Sequence, residues 1–156
     1  MWRAPRLRGP RPGTAGDNNA LDPIQATEAL AYDFLSAGGK YSRPFITLSV
    51  YDAVRGGDAT TADGPGLIEQ YPDAILRTAM AIETFHKASL VHDDIEDADD
   101  FRYGDPALHH RYGAATAINV GDYLIGMGYR LVSRDRKELG AETAADILDH
   151  LAFAHQ

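Results

Sequence analysis

The sequence predicts an all-α fold, and three observations carry the prediction. Apolar residues recur at spacings of three and four along most of the chain. Glycine and proline punctuate these stretches at helix-length intervals, and no segment alternates apolar with polar residues as a half-buried strand would. With 156 residues, 44% of them hydrophobic and 24% charged, the chain can bury one sizeable core.

The first twenty residues stand apart. Arg3, Arg6, Arg8 and Arg11 alternate with Pro5, Gly9, Pro10 and Pro12, and no acid appears before Asp17. The stretch lacks the apolar centre of a secretory signal, and its prolines spoil the amphipathic helix of an organelle transit peptide. It reads as a disordered basic arm over residues 1–20, followed by a helical domain over 21–156.

The first helix is expected from Asp22 and Pro23, as N-cap and first helical residue, to about Ser36, with Leu30 and Phe34 on its apolar face. Gly38 and Gly39 stop it. Pro44 opens a second helix whose core candidates are Phe45, Ile46, Leu48 and Val54, and residues 56–66 read as a loop. A long helix follows from about Pro72 to Asp97. Its stripe of Ile75, Ala79, Ile82, His86, Ser89, Asp93 and Asp97 begins apolar and ends acidic. Gly104 and Pro106 break the chain. A further helix is expected from Ala114 to Val132 despite Gly121, Gly126 and Gly128. Each costs about 1 kcal/mol of helix propensity, so close helix packing is expected to compensate. A last helix starts near Gly140 and runs to the terminus.

The net charge of −8 argues against non-specific binding to nucleic acid or anionic membranes, since the overall field repels both. No cysteine is present, which excludes disulfides, thiolate zinc sites and cysteine nucleophiles; a cytoplasmic protein is the simplest reading. No apolar run approaches the roughly 20 residues needed to span a bilayer.

The segment Leu90-Val-His-Asp-Asp-Ile-Glu-Asp-Ala-Asp-Asp-Phe-Arg102 is the strongest chemical signal. Asp93 and Asp97 are one helical turn apart on one face, and like charges at that spacing destabilise a helix unless they are neutralised. Mg²⁺, which takes one or two carboxylates together with waters and substrate phosphate oxygens, does this well. Because the acids follow an apolar stripe, the pair suits a substrate with a pyrophosphate head and a hydrocarbon tail. The plainer alternative is a solvated acidic helix end. An EF-hand lacks its central glycine and distal glutamate here, and the His92-Asp93 pair of an HD-type phosphohydrolase lacks further upstream histidines.

Gly38-Gly-Lys-Tyr-Ser-Arg-Pro44 supplies the complementary charge. Lys40 and Arg43 flank a turn that opens a helix, where backbone N–H groups and the helix dipole add to the two cations in binding pyrophosphate. The residue before a proline is pushed extended, which should fix the direction of Arg43. Alone, the motif is equally a solvated basic turn.

Together the two motifs resemble the trans-prenyltransferases, or polyprenyl synthetases, which make farnesyl, geranylgeranyl and longer diphosphates. The order Gly-Gly-Lys-x-x-Arg-Pro, a helix, then His86-Lys-Ala-Ser-Leu-Val-His-Asp-Asp-Ile-Glu-Asp97 is the family's, and Gly104-Asp-Pro106 and Gly121-Asp-Tyr-Leu124 also match it. The resemblance covers Leu30 to the C-terminus. It implies an isoprenoid-synthase helix bundle, of which this chain is the N-terminal part, ending before the second aspartate-rich motif. It also implies Mg²⁺-dependent condensation of isopentenyl diphosphate with an allylic diphosphate. Asp93, Asp94 and Asp97 match the metal-binding motif, whose outer two acids contact the ion. Lys40, Arg43 and His86 match the residues that hold isopentenyl diphosphate, and Arg102 matches an arginine that contacts the allylic diphosphate.

The family's second arginine is Tyr103 here. A tyrosine can donate one hydrogen bond to phosphate but adds no charge, so an arginine at this position is expected to strengthen binding of isopentenyl diphosphate. The resemblance further implies a homodimer in a full-length form, no prenyl transfer by these 156 residues alone, and helices that leave an apolar face for a further half to cover. A catalytically inactive binding or partner subunit is the alternative reading. Product length is assigned to Phe85, Ala88 and Ser89: small residues at 88 and 89 leave room beyond a farnesyl tail, Phe85 forms the next floor, and a geranylgeranyl or somewhat longer product is expected.

Overall fold

The computed structural model describes residues 22–57 and 71–154. The basic arm and most of the expected loop lie outside the described residues. Seven helices and one small hairpin follow in order: α1 (Pro23–Ser36), α2 (Ser42–Val54), α3 (Asp73–Glu96), β1 (Phe101–Arg102), β2 (Asp105–Pro106), α4 (Leu108–Tyr112), α5 (Ala114–Ser133), α6 (Arg136–Leu139) and α7 (Ala141–Phe153). The all-α prediction holds: the five long helices begin within two residues of their expected starts, α1, α3 and α5 end within one residue of their expected ends, and α7 ends at Phe153 instead of running to the terminus.

Two compact units make up the chain. One holds the segment up to Gly39 with His86–Ile125; the other holds Lys40–Phe85 with Gly126 onward. Both α3 and α5 therefore contribute residues to each unit.

In the first unit the buried apolar residues are Ala31 and Phe34 of α1, Ala88 and Val91 of α3, Ala107 and Leu108, and Ala117, Val120 and Leu124 of α5. α5 keeps its glycines here for a packing reason. A Cβ on Gly121 would collide with the His92 imidazole, so only glycine admits that ring.

In the second unit Ala81 of α3, Val132 of α5 and Ala144 of α7 form a core cluster, with Leu131, Leu139, Ile147, Leu148 and Leu151 packed against it. Arg77 ties α3 to the segment after α5 by donating from Nε to the buried Asp135 and from Nη1 to Asp73, 3.1 Å away. Phe85 lies on Gly128, and its ring meets that of Tyr129 edge-on with centroids 4.8 Å apart.

The structure corrects four expectations. Phe45, Ile46 and Val54 are not core residues: they are exposed, with Val50, as an apolar strip along α2, and α2 buries Pro44 and Asp52 instead. Periodicity identifies a face that is apolar, not what covers it.

On α3 the fully buried residues include Ala74, Ala79, Ala81, Thr84, Lys87, Ala88 and Val91, of which only Ala79 lies on the predicted stripe. Ile75, Ile82, His86 and Ser89 are only half-buried. Small residues mark the closest helix contact more faithfully than the larger apolar ones do.

Helix α2 begins at Ser42 rather than at Pro44, because Tyr41 makes the turn in a left-handed conformation (φ 49°). Arg43 is therefore helical, not extended, and Pro44 sits in the first turn, where its missing N–H leaves no bond unmade.

Gly126, unlike Gly121 and Gly128, meets nothing within 4 Å. Gly126→Ala should therefore stabilise the chain by about 1 kcal/mol, through helix propensity alone. Gly128→Ala puts a Cβ 2.7 Å from the Phe85 ring and should destabilise it by about 1–3 kcal/mol through overpacking. Urea unfolding followed by helical circular dichroism checks both signs.

Candidate active site: an acidic helix end and its arginine

Helix α3 carries Asp93, Asp94 and Glu96 in its last turn and Asp97 immediately after it. The C-terminal end of a helix is the negative end of its dipole, so these acids sit where negative charge is least favourable. The helix closes by a Schellman arrangement in which Asp99 N–H bonds the Asp94 carbonyl at 2.9 Å and Ala98 N–H bonds that of Ile95 at 3.4 Å. Ala98 occupies the left-handed position, φ 53°, that glycine normally takes.

A hairpin then returns the chain. Arg102 pairs with Asp105, and the two residues between them, Tyr103 and Gly104, both have positive φ (57° and 88°), as a type I′ turn requires. Strands of two residues have no alternation to read, and the sequence showed only a break here.

The hairpin delivers Arg102 onto Asp94. Nε donates to Asp94 Oδ1 at 2.7 Å, Nη2 donates to the same oxygen, and Nη2 also reaches Asp99 Oδ2 at 3.1 Å. The hydrogen bonds to Asp94 push the Arg102 pKa further up. Asp94 is 1% exposed, and its other oxygen has no hydrogen-bond partner.

The three aspartates of the motif are thus not equivalent. Asp94 is turned inward and holds Arg102, whereas Asp93 and Asp97 are exposed, one turn apart. Asp94, expected from the sequence as a third metal ligand, is here buried against Arg102. Asp93 and Asp97 offer the hard oxygen donors that Mg²⁺ takes in ones and twos alongside waters and phosphate. Among the described residues no three His, Cys, Asp or Glu side chains converge on one point.

His92, between the stripe and the acids, is packed on Gly121 with its Nε2 3.7 Å from Asp122 Oδ1, beyond hydrogen-bond range. In the same unit His86 is half-buried, Ala88 is fully buried, and the half-buried Ser89 hydroxyl donates to the His86 carbonyl at 2.9 Å. Lys40 and Arg43, in the other unit, are exposed on either side of the Tyr41 turn.

Sequence reasoning missed Lys87. It is completely buried, with Nζ donating to the Gly38 carbonyl and standing 3.9 Å from the centre of the Tyr103 ring. Its position directly after His86, off the predicted stripe, was the available signal.

A helical fold with a paired-carboxylate helix end defines the class, and the comparisons name it. The polyprenyl synthetase family model matches residues 24–154, and the chain belongs to that family. It is 38% identical over 127 residues to the short chain isoprenyl diphosphate synthase of Methanothermobacter thermautotrophicus, covering 81% of this chain and 34% of that relative. It is 35% identical over 135 residues to the farnesyl diphosphate synthase of Geobacillus stearothermophilus, covering 85% and 40%. Among solved structures, an FPP/GFPP synthase from Zymomonas mobilis superposes with a TM-score of 0.67 at 28% identity, over 86% of this chain and 44% of that one. The chain spans about a third of the length of the curated relatives it matches. Among the described residues no helix is long and apolar enough to cross a membrane.

Three substitutions separate local strain from the ion pair. Ala98→Gly should stabilise the chain by about 1 kcal/mol by removing a side chain from a left-handed position. Asp94→Asn should cost about 3 kcal/mol, because it strands Arg102 beside a buried neutral group. Asp93→Asn, at an exposed position, should change stability by no more than about 0.5 kcal/mol. Urea unfolding ranks the three; equal effects at positions 93 and 94 would contradict the inward and outward division.

Proposed function

We propose that this chain carries the first metal–diphosphate site of a prenyl diphosphate synthase, which condenses isopentenyl diphosphate with an allylic diphosphate in isoprenoid synthesis. Membership of the polyprenyl synthetase family supports the reaction class. The observation that carries the site is the outward pair Asp93 and Asp97 beside an inward Asp94–Arg102 pair.

In this reading Asp93 and Asp97 hold Mg²⁺ at the allylic diphosphate, and Asp94 orients Arg102 instead of binding metal. Arg102 keeps its charge and presents the rest of its guanidinium fork to the same diphosphate. Lys40, Arg43 and His86 are assigned to isopentenyl diphosphate by the family pattern. Bound magnesium supplies charge neutralisation for the leaving diphosphate. The chain's own groups supply orientation and fixed positive charge, and none is required as a nucleophile. The proton lost at the end goes to the released pyrophosphate. A cytoplasmic homodimer is the assembly that the family pattern favours.

Titration of the chain with farnesyl diphosphate, with and without Mg²⁺, tests the assignment. Asp93→Ala and Asp97→Ala should each weaken Mg²⁺-dependent binding at least about tenfold, as expected for loss of one of two protein ligands, while the helical signal is retained. Binding that is equally tight without Mg²⁺, or unchanged in both variants, would refute the metal assignment.

The tail is proposed to run from Asp93 back toward Ser89, Ala88 and Phe85, with a geranylgeranyl or somewhat longer product. Ala88→Phe should shorten the product and Phe85→Ala should lengthen it, in a form of the protein competent for elongation. Chromatography of the dephosphorylated products reads the outcome independently of any loss of rate. Unchanged chain length in both variants would place the tail elsewhere.

A further inference from the structure

Position 103 holds tyrosine where the family pattern has a second arginine, and the structure shows a cation next to it after all. Lys87 is 0% exposed. Its ammonium donates to the carbonyl of Gly38 and stands 3.9 Å from the Tyr103 ring centre and 5.7 Å from that of Phe34. The two rings are themselves in contact, with centroids 6.1 Å apart and planes at 52°. Gly38 lies beside the same ring: a Cβ on its backbone (φ 142°) would stand in ordinary contact, 3.5 Å from Tyr103.

A buried ammonium is costly unless its donors are matched. Its partners include the Gly38 carbonyl and the negative faces of two aromatic rings, a pairing that gains strength where the ammonium itself is shielded from water. Tyrosine also occupies the first position of a type I′ turn, where Asn, Asp and Gly are preferred, so turn geometry alone does not account for it.

We propose that Lys87 and Tyr103 are a matched pair. The ring at 103 hosts the ammonium from 87, and the ammonium anchors the Gly38–Gly39 turn that leads into Lys40. Lys87 is then a positioning residue for that turn. Its consequence for isopentenyl diphosphate rests on the assignment of Lys40 above. An arginine at 103 would remove the ring and bring a second cation to Lys87, so the substitution that restores the family pattern should harm this chain. This reverses the expectation from sequence.

Two readouts on the purified chain test the pair. The first is the rate at which an amine-reactive ester acylates each lysine, followed by mass spectrometry, with the exposed Lys40 and Lys137 as internal references. Lys87 should react at least about tenfold more slowly than either in the wild type and in Tyr103→Phe. In Tyr103→Asn, which suits the turn better but has no ring, it should react about tenfold faster than in the wild type, the scale of one desolvated cation–π contact. Wild-type reactivity equal to that of Lys40, or protection that survives Tyr103→Asn, would overturn the pairing.

The second readout is the Kd for isopentenyl diphosphate. Tyr103→Arg alone should weaken binding, and Lys87→Met combined with Tyr103→Arg should bind more tightly than Tyr103→Arg alone; Lys87→Arg should retain more binding than Lys87→Met. Tighter binding in Tyr103→Arg alone, or strictly additive effects, would overturn the proposal. A wild-type chain that protects Lys87 but does not bind isopentenyl diphosphate supports the pairing and refutes the substrate assignment, so the two failures are distinct.

Discussion

Helix α3 ends in carboxylates where its own dipole is already negative, and the neighbouring structure is arranged around that repulsion. One acid, Asp94, is neutralised from within the fold: a type I′ hairpin turns the chain back so that Arg102 reaches it, and Asp99 joins the same guanidinium. The cost of burying Asp94 is acceptable only because the partner and the hydrogen bonds arrive together. Asp93 and Asp97 form no such ion pair among the described residues and are exposed. The division follows from helical geometry, because neighbours 93 and 94 differ by about 100° around the axis while 93 and 97 nearly coincide. A single helix end thereby separates an acid that builds the site from two that remain open to a cation.

The helices around this end are brought close by one device used twice. In one unit Gly121 of α5 admits the His92 ring of α3, and in the other Gly128 of α5 admits the Phe85 ring of α3. Each glycine sacrifices about 1 kcal/mol of helix propensity and gains a ring-on-backbone contact that no residue with a side chain permits. The first contact lies next to the aspartates and fixes the side chain immediately before Asp93. Gly126, between the two, makes no such contact, so three glycines alike in sequence have two different physical standings.

Much of this was legible in the sequence. The long-helix boundaries were, because Pro23 and Gly38 at the ends of the first helix and Gly140 at the start of the last act locally, and local signals survive folding. The Asp93–Asp97 face was legible for the same reason, as a spacing along one helix. What the sequence did not disclose depends on contacts between distant residues. The hairpin has too few residues to show a period. The inward turn of Asp94 depends on Arg102, eight residues away across a turn whose type cannot be read from a Tyr-Gly pair. The start of α2 moved to Ser42 because Tyr41 accepts a conformation unusual for its type. The exposure of Phe45, Ile46 and Val54 was illegible because an apolar face specifies only that something could cover it.

Left-handed backbone at residues other than glycine is confined, among the described residues, to Tyr41, Ala98 and Tyr103. Each is a neighbour of a charged motif residue: Tyr41 follows Lys40, Ala98 follows Asp97 and Tyr103 follows Arg102. Such a conformation costs roughly 1–2 kcal/mol for a residue with a Cβ and persists where surrounding contacts over-determine it. The chain uses glycine for the same purpose elsewhere, at Gly56, Gly113 and Gly140, so the strain is local to these turns. For Tyr103 the contact that offsets it is the buried ammonium of Lys87. The Tyr41 ring is half-buried, and that burial, with the charge of Glu83, pushes its phenol pKa up. No contact in the structure explains Ala98. Two of the three turns thus carry a tyrosine next to a cation: the Tyr41 ring is half-buried, and the Tyr103 ring is 38% exposed and turns one face to the Lys87 ammonium.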